Sequence, residues 1–192
     1  MSLSTPQRIA IFTVLAIAMV ATRFHHFAAV PDASWAVFFV AGFYLRGSVR
    51  WAFPLLMALA VAVDILVVTG QGLDFWTHYC VSPAYWMLLP AYAVLWFGGS
   101  WLRSRYDGIT LATLGRFVSS LLVAATLCYL VSNGSFYWLS PMVTERSFGG
   151  WFKNLGDWYL TFVGTTATYA GIAAAFHTIA ALALPGAVRA TR

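Results

Sequence analysis

Charge is what this sequence has least of. Six acidic and eleven basic side chains are spread over 192 residues, 9% charged in all, and only one of the bases is a lysine. Soluble globular domains average about 25% charged residues. A water-exposed fold of this size needs a polar shell that so few charges do not supply, so a soluble globule is excluded. Cysteine and histidine are scarce too, at two and four residues. No grouping of them has the closed four-ligand spacing of a zinc site. There is no nucleotide-binding motif, no low-complexity tract and no long polar linker. The arginines are scattered through short loops, so the basic pI of about 9.5 does not translate into a nucleic-acid-binding face.

What the sequence has in excess is apolar and aromatic side chain: 61% hydrophobic residues, with nine Trp and nine Tyr, and a mean hydropathy of +0.77. Outward-facing apolar groups cost nothing when lipid is the solvent, and amphipathic rings favour the membrane–water boundary. The expected fold is an all-α integral membrane protein, one membrane domain over residues 1–192. Six apolar runs define its helices, at about 9–23, 33–45, 51–69, 83–97, 114–131 and 158–184. A straight crossing takes about 20 residues. The first, second and fourth runs are short of that, and the second also reads as a re-entrant segment.

Charge then orients the expected helices. With six crossings, Arg8, Arg46, Arg50, Arg103, Arg105, Arg116, Arg189 and Arg192 share one side, against Arg23, Arg146 and Lys153 on the other. Of the acids, only Asp107 joins the basic side. By the positive-inside bias both termini are expected in the cytoplasm. The first run passes into Arg23-Phe24-His25-His26 without a small-x-small cleavage pattern, so a retained helix is expected rather than a cleaved signal peptide.

Two outer segments, 70–82 and 132–157, are expected as long aromatic, glycine-rich loops. Such loops suit lids over a large, flat, partly apolar ligand; interfacial anchoring by Trp and Tyr accounts for the same composition. Cys128 lies mid-helix and reads as a small packing residue. Cys80 sits near the start of the fourth helix, with His78 two residues before it and Pro83 three after. A thiol at a helix N-terminus gains thiolate character, and a thiolate is a soft metal donor. Spacing alone leaves Cys80 open between an inert thiol and a ligand. Asp64, inside the third run, is costly in lipid: it either contacts a ligand amide or ties down a neighbouring helix. His177 reads as a hydrogen-bonded packing residue.

The segment Phe75-Trp76-Thr77-His78-Tyr79-Cys80-Val81-Ser82-Pro83-Ala84-Tyr85-Trp86, with His25-His26-Phe27 and the run from Trp35 to Tyr44, resembles the solitary cobalamin-specific S components (BtuM family) of energy-coupling-factor transporters. The resemblance in architecture covers the whole chain; the specific segment covers a dozen residues. It implies a vitamin B12 (cobalamin) uptake protein of the bacterial cytoplasmic membrane, with Cys80 as the axial cobalt ligand. A soft thiolate is electron-donating and weakens the bond from cobalt to a ligand on the opposite face, so Cys80 is also expected to promote the loss of an upper axial cyanide. A corrin already supplies four equatorial nitrogens, so one protein donor is enough. Around the cobalt, the expected ligand contacts are Tyr85, His78, Tyr79, Asp64, His25 and His26, with Trp138, Trp151 and Lys153 in the lid. The implied partners are cobalamin, the lipid bilayer and a coupling module of transmembrane subunit plus ATPases, with no nucleic acid. One family feature is missing: the Ala-xxx-Ala docking pattern of the first helix, since Ala16 is followed by Val20 and Ala18 by Thr22. The alternatives are an S component for another vitamin, a membrane enzyme, or a structural subunit.

Overall fold

The computed structural model describes residues 3–24, 31–78 and 81–183. Among these the chain is all-helical: α1 (Thr5–Arg23), α2 (Ser34–Tyr44), a 3-10 turn (Arg46–Ser48), α3 (Val49–Gly70), α4 (Pro83–Trp86), α5 (Leu88–Ser104), α6 (Leu111–Leu139) and α7 (Phe148–Ala183). Among the described residues, four helical stretches are long and apolar enough to cross a membrane: Thr5–Arg23, Arg46–Gly70, Leu111–Leu139 and Phe148–Ala183. Their faces carry exposed Ile9, Ile17, Leu66, Leu122, Leu160 and Phe176, the pattern of a protein whose outer surface meets lipid.

The expected second helix is the centre of the bundle. α2 has only 11 residues, and nine of them are buried, from Ser34 through Phe43. It is apolar all round because protein surrounds it. At about 1.5 Å per residue it is about 16 Å long, half the ~30 Å of a bilayer core. Its tightest neighbour is α5. A Cβ on Gly42 would collide with the carbonyl oxygen of Trp96, and one on Gly99 with that of Phe39. Ser100 Oγ also donates to the Gly42 carbonyl at 3.0 Å. Small residues let two helix backbones meet in this way where no hydrophobic drive operates between helices. Gly99→Ala is therefore expected to force α2 and α5 apart and cost about 1–3 kcal/mol or more. Gly115, on α6, has nothing within 4 Å of an added Cβ, so Gly115→Ala should leave stability level or raise it by up to about 1 kcal/mol. Thermal unfolding of the two variants in detergent checks the contrast.

Two sequence expectations are corrected. The fourth run is broken at Met87 into α4 and α5. Pro90 explains the break: it has no N–H to offer, and its ring clashes with the carbonyl four residues back, that of Trp86. Proline is tolerated in a first turn, so α5 starts just before it. The other correction concerns the 132–157 loop, which is mostly helix. α6 runs on to Leu139 and α7 begins at Phe148, leaving 140–147 as the connection. Two of the glycines there, Gly134 and Gly150, serve packing. Gly134 lies against the Trp151 ring, and a Cβ on Gly150 would strike the Tyr137 hydroxyl. With 29 and 36 residues, α6 and α7 reach about 44 and 54 Å, well beyond a bilayer core.

Candidate ligand site at the Arg23 end of the bundle

Arg23, the last residue of α1, is 4% exposed and organises one end of the molecule. Its Nε and Nη2 donate to the two oxygens of Asp64, each at 2.7 Å. Its Nη1 donates to Asp32 at 2.9 Å, to Ser34 Oγ at 3.0 Å and to the Tyr92 hydroxyl at 3.3 Å. Two parallel bonds to one carboxylate are the strong form of a guanidinium pair. The remaining donors then knit α1 to α2 and α5 as well as α3. Asp32 Oδ1 in turn accepts from the Ser34 amide at 2.9 Å and its hydroxyl at 2.6 Å, which holds the start of α2. Thr22 Oγ1 accepts from the Ala33 amide at 3.0 Å. Tyr92 stacks on Phe38 with centroids 4.5 Å apart, fixing the phenol against the core.

The segment before α4 joins this cluster through Tyr85. Its hydroxyl donates to Asp64 Oδ2 at 2.7 Å, and its ring meets Phe75 edge-on at 6.1 Å. Phe75 is buried while Trp76 and Trp86 project outward. Asp74 Oδ1 accepts from the amides of Trp76 and Thr77 at 2.8 and 3.1 Å, an Asx turn that shapes the chain entering the segment. The His78 amide donates to the Phe75 carbonyl at 3.3 Å, and the Val81 amide to the His78 carbonyl at 2.8 Å. Tyr85→Phe removes a hydrogen bond to a charged group, worth about 1.5–3 kcal/mol. Lower thermal stability of that variant is expected, and an unchanged melting curve would contradict the assignment.

Of the residues expected to form the site, Asp64, Tyr85 and His78 belong to this end of the chain's fold as described. Asp64 is claimed by Arg23 and Tyr85, which realises the helix-tying role. Its side chain is 19% exposed. His25, His26, Tyr79 and Cys80 lie outside the described residues. The helix end expected to favour a Cys80 thiolate is not provided by α4, whose four residues build almost no aligned dipole. The expected lid residues sit on helices. Trp138 on α6 and Trp151 on α7 pack at 6.1 Å, and Trp151 Nε1 is buried without a hydrogen-bond partner among the described residues. Lys153, on α7, pairs with Asp157 at 2.7 Å on an exposed face. Cys128 is fully buried in α6, as a packing residue should be. Among the described residues no group of three or more His, Cys, Asp or Glu side chains could hold a metal ion.

The opposite end carries a second polar cluster. His177 on α7 bonds Tyr44 at 2.6 Å through Nδ1 and Tyr106 at 2.7 Å through Nε2. The Arg103 guanidinium lies over the Phe43 ring at 5.4 Å and the Tyr106 ring at 5.7 Å. Burial raises the Tyr106 phenol above its usual range, with Arg103 opposing, so it stays protonated. The packing role expected for His177 thus comes with two tyrosine partners, Tyr44 and Tyr106, that sequence reasoning did not name. Tyr92 was missed as well. Its signal was faint: a second tyrosine, seven residues after Tyr85, in an apolar run.

These features define a helical membrane-type protein with a buried, charge-paired end. No family model matches the chain, and no curated protein is significantly similar to it.

Proposed function

We propose that this chain is a membrane-embedded cobalamin-binding uptake protein, similar to the solitary S components of energy-coupling-factor transporters. The observation that carries the reading is the segment Phe75–Trp86, a single cysteine set among aromatics, whose Tyr85, in α4, bonds Asp64. A corrinoid needs one axial donor from the protein, and Cys80 is the soft donor in that segment. The Arg23–Asp64 pair gives the segment a rigid base, which a binding site needs if its donor is to hold one position. Partly exposed Asp64 offers an acceptor to corrin amides. Trp138 and Trp151 supply flat apolar surface at the far ends of α6 and α7.

In this reading the chain crosses the bilayer six times with both termini cytoplasmic, α2 and its flanking turns making the second crossing and α4 with α5 the fourth. Two arrangements support it. The C-terminal end of α1, the N-terminal end of α2 and the C-terminal half of α3 meet at Arg23, and the ends of α2 and α5 meet α7 at His177. The Arg23 end is then outward, where an incoming vitamin arrives. Cys80 would take the lower axial position in place of the nucleotide base, and its electron donation would weaken the bond on the opposite face, so that an upper cyanide would leave with its electron pair.

Gel filtration of detergent-purified protein after incubation with cyanocobalamin tests the proposal. Corrinoid absorbance that co-elutes with the protein at close to equimolar amount is expected. A colourless protein peak would overturn it in favour of another ligand.

A further inference from the structure

At the His177 end a cavity of about 490 Å³ opens between α2, α5, α6 and α7, within the ~300–1,000 Å³ of small-molecule sites. Its polar lining is gathered at one end. Tyr44 closes α2, Tyr106 follows α5, Thr110 and Thr113 stand at the start of α6, and His177 and Thr178 lie on α7. The apolar lining runs deeper into the bundle. Phe39 comes five residues before Tyr44, Phe117 four after Thr113 and Ala170 seven before His177, so each sits about 6–10 Å further along its helix. At the mouth, Leu111 and Leu114 are 85% and 55% exposed, which joins the cavity to the lipid-facing surface of α6.

The hydroxyls of this rim are only partly used by the protein. Both imidazole nitrogens of His177 are bonded to phenols. A neutral ring donates to one phenol and accepts from the other, which leaves one phenolic hydrogen unspent. Thr110 Oγ1 accepts from the Thr113 amide and donates to Thr113 Oγ1 at 3.0 Å, so the hydrogen of Thr113, a residue 8% exposed, is free. Thr178 Oγ1 donates to the Ala174 carbonyl at 2.9 Å and keeps its lone pairs. The rim therefore offers both donors and an acceptor. Among the described residues its lining contains no Asp, Glu, Lys or Arg, so an ionised group placed there would lose its hydration without gaining a counter-charge. A carboxylate or phosphate, which only accepts, fits this rim poorly. Hydroxyls, which donate and accept, fit it well.

We infer that this cavity binds one neutral single-chain amphiphile with a hydroxyl-bearing head, of the monoacylglycerol class. Its hydrocarbon chain lies among Phe39, Phe117 and Ala170, and its head hydroxyls meet Thr113, Thr178 and the spare phenol of the Tyr44–His177–Tyr106 group. The inference stands on the membrane character of the fold and not on the corrinoid reading.

Native mass spectrometry of the full chain, released from lauryldimethylamine oxide micelles after exposure to equal amounts of monooleoylglycerol and oleoyl lysophosphatidylglycerol, tests it. The two probes share one chain and differ in the charge of the head. One monooleoylglycerol should be retained in preference by at least about tenfold, because the phosphate finds no counter-charge in the rim. Thr113→Val and Thr178→Val keep the side-chain shape, and each should lower that retention by about fivefold, the effect of one net hydrogen bond. Ala174→Phe, which fills the cavity, should abolish it; the two valine variants decide the matter should Ala174→Phe fail to fold. Equal retention of the two probes, or preference for the lysophosphatidylglycerol, would overturn the inference. So would retention unchanged in both valine variants. Retention of neither probe by the wild type would overturn it too and would point to a partner helix in the cavity.

Discussion

Arg23→Met is expected to destabilise the protein by about 3–5 kcal/mol, the cost of stranding one half of a buried ion pair. Arg23 is 5% exposed as a side chain and Asp64 19%, so water does little to rescue what is left. The loss is uneven between the two acids. Asp32 keeps the Ser34 amide and hydroxyl, an arrangement close to a helix cap. Asp64 keeps only the Tyr85 hydroxyl among the partners described here. The stranded charge is therefore that of Asp64, and adding Asp64→Leu to Arg23→Met should restore much of the lost stability, because it removes the group that pays for desolvation. Tyr85 then loses its acceptor, so recovery stays incomplete. Thermal unfolding in detergent, read by gel filtration of the material that remains monodisperse, compares the single and double variants. Equal melting of Arg23→Met and wild type would show that the pair is not buried as described.

Much of the fold was legible because lipid imposes a simple rule on composition. Scarce charge and recurrent apolar runs required helices; α1 and α3 lie close to their runs, while α6 and α7 cover theirs and extend into the segment expected as loop. The misreadings have local causes. Glycine beside aromatics at 134–151 looked like loop chemistry, yet Gly134 and Gly150 make room for Trp151 and Tyr137 between two long helices. Sequence shows the missing side chain but not which neighbour fills the space. Pro90 was visible, and its clash with the Trp86 carbonyl was the signal that the fourth run would break. Helix two read as weak because it was judged by length. Its burial on all sides depends on the backbone contact with α5 at Gly42 and Gly99, which no single segment reveals.

The site was legible in its charges and not in its pairings. Asp64 stood out as an acid within an apolar run, and Arg23 as a base on the acid-rich side. Neither fact pointed to the other across 41 positions; the folded geometry makes the pair and makes it bidentate. Tyr92 and Ser34 carry no mark in the sequence, since a hydroxyl in an apolar run is common. The two tyrosines of His177 were hidden for the same reason.

Cys80→Ala carries the second large effect. If the thiolate holds cobalt, its removal leaves the corrin only hydrogen bonds and ring contacts. Affinity should fall at least about tenfold, which corresponds to about 1.4 kcal/mol. The spectral consequence is sharper than the change in affinity, because a sulfur donor alters the absorption of cobalt while amide and aromatic contacts do not. Cys128, buried in α6, offers no substitute thiol, so Cys128→Ala should leave the corrinoid spectrum as it is in the wild type.

The most direct test of the cobalamin assignment is the absorption spectrum of purified protein incubated with cyanocobalamin, recorded for wild type and Cys80→Ala. The account predicts a shifted corrinoid band with wild type, developing as cyanide leaves, and the spectrum of free cyanocobalamin with Cys80→Ala. The same shifted spectrum in both proteins, or no shift in either, would contradict it.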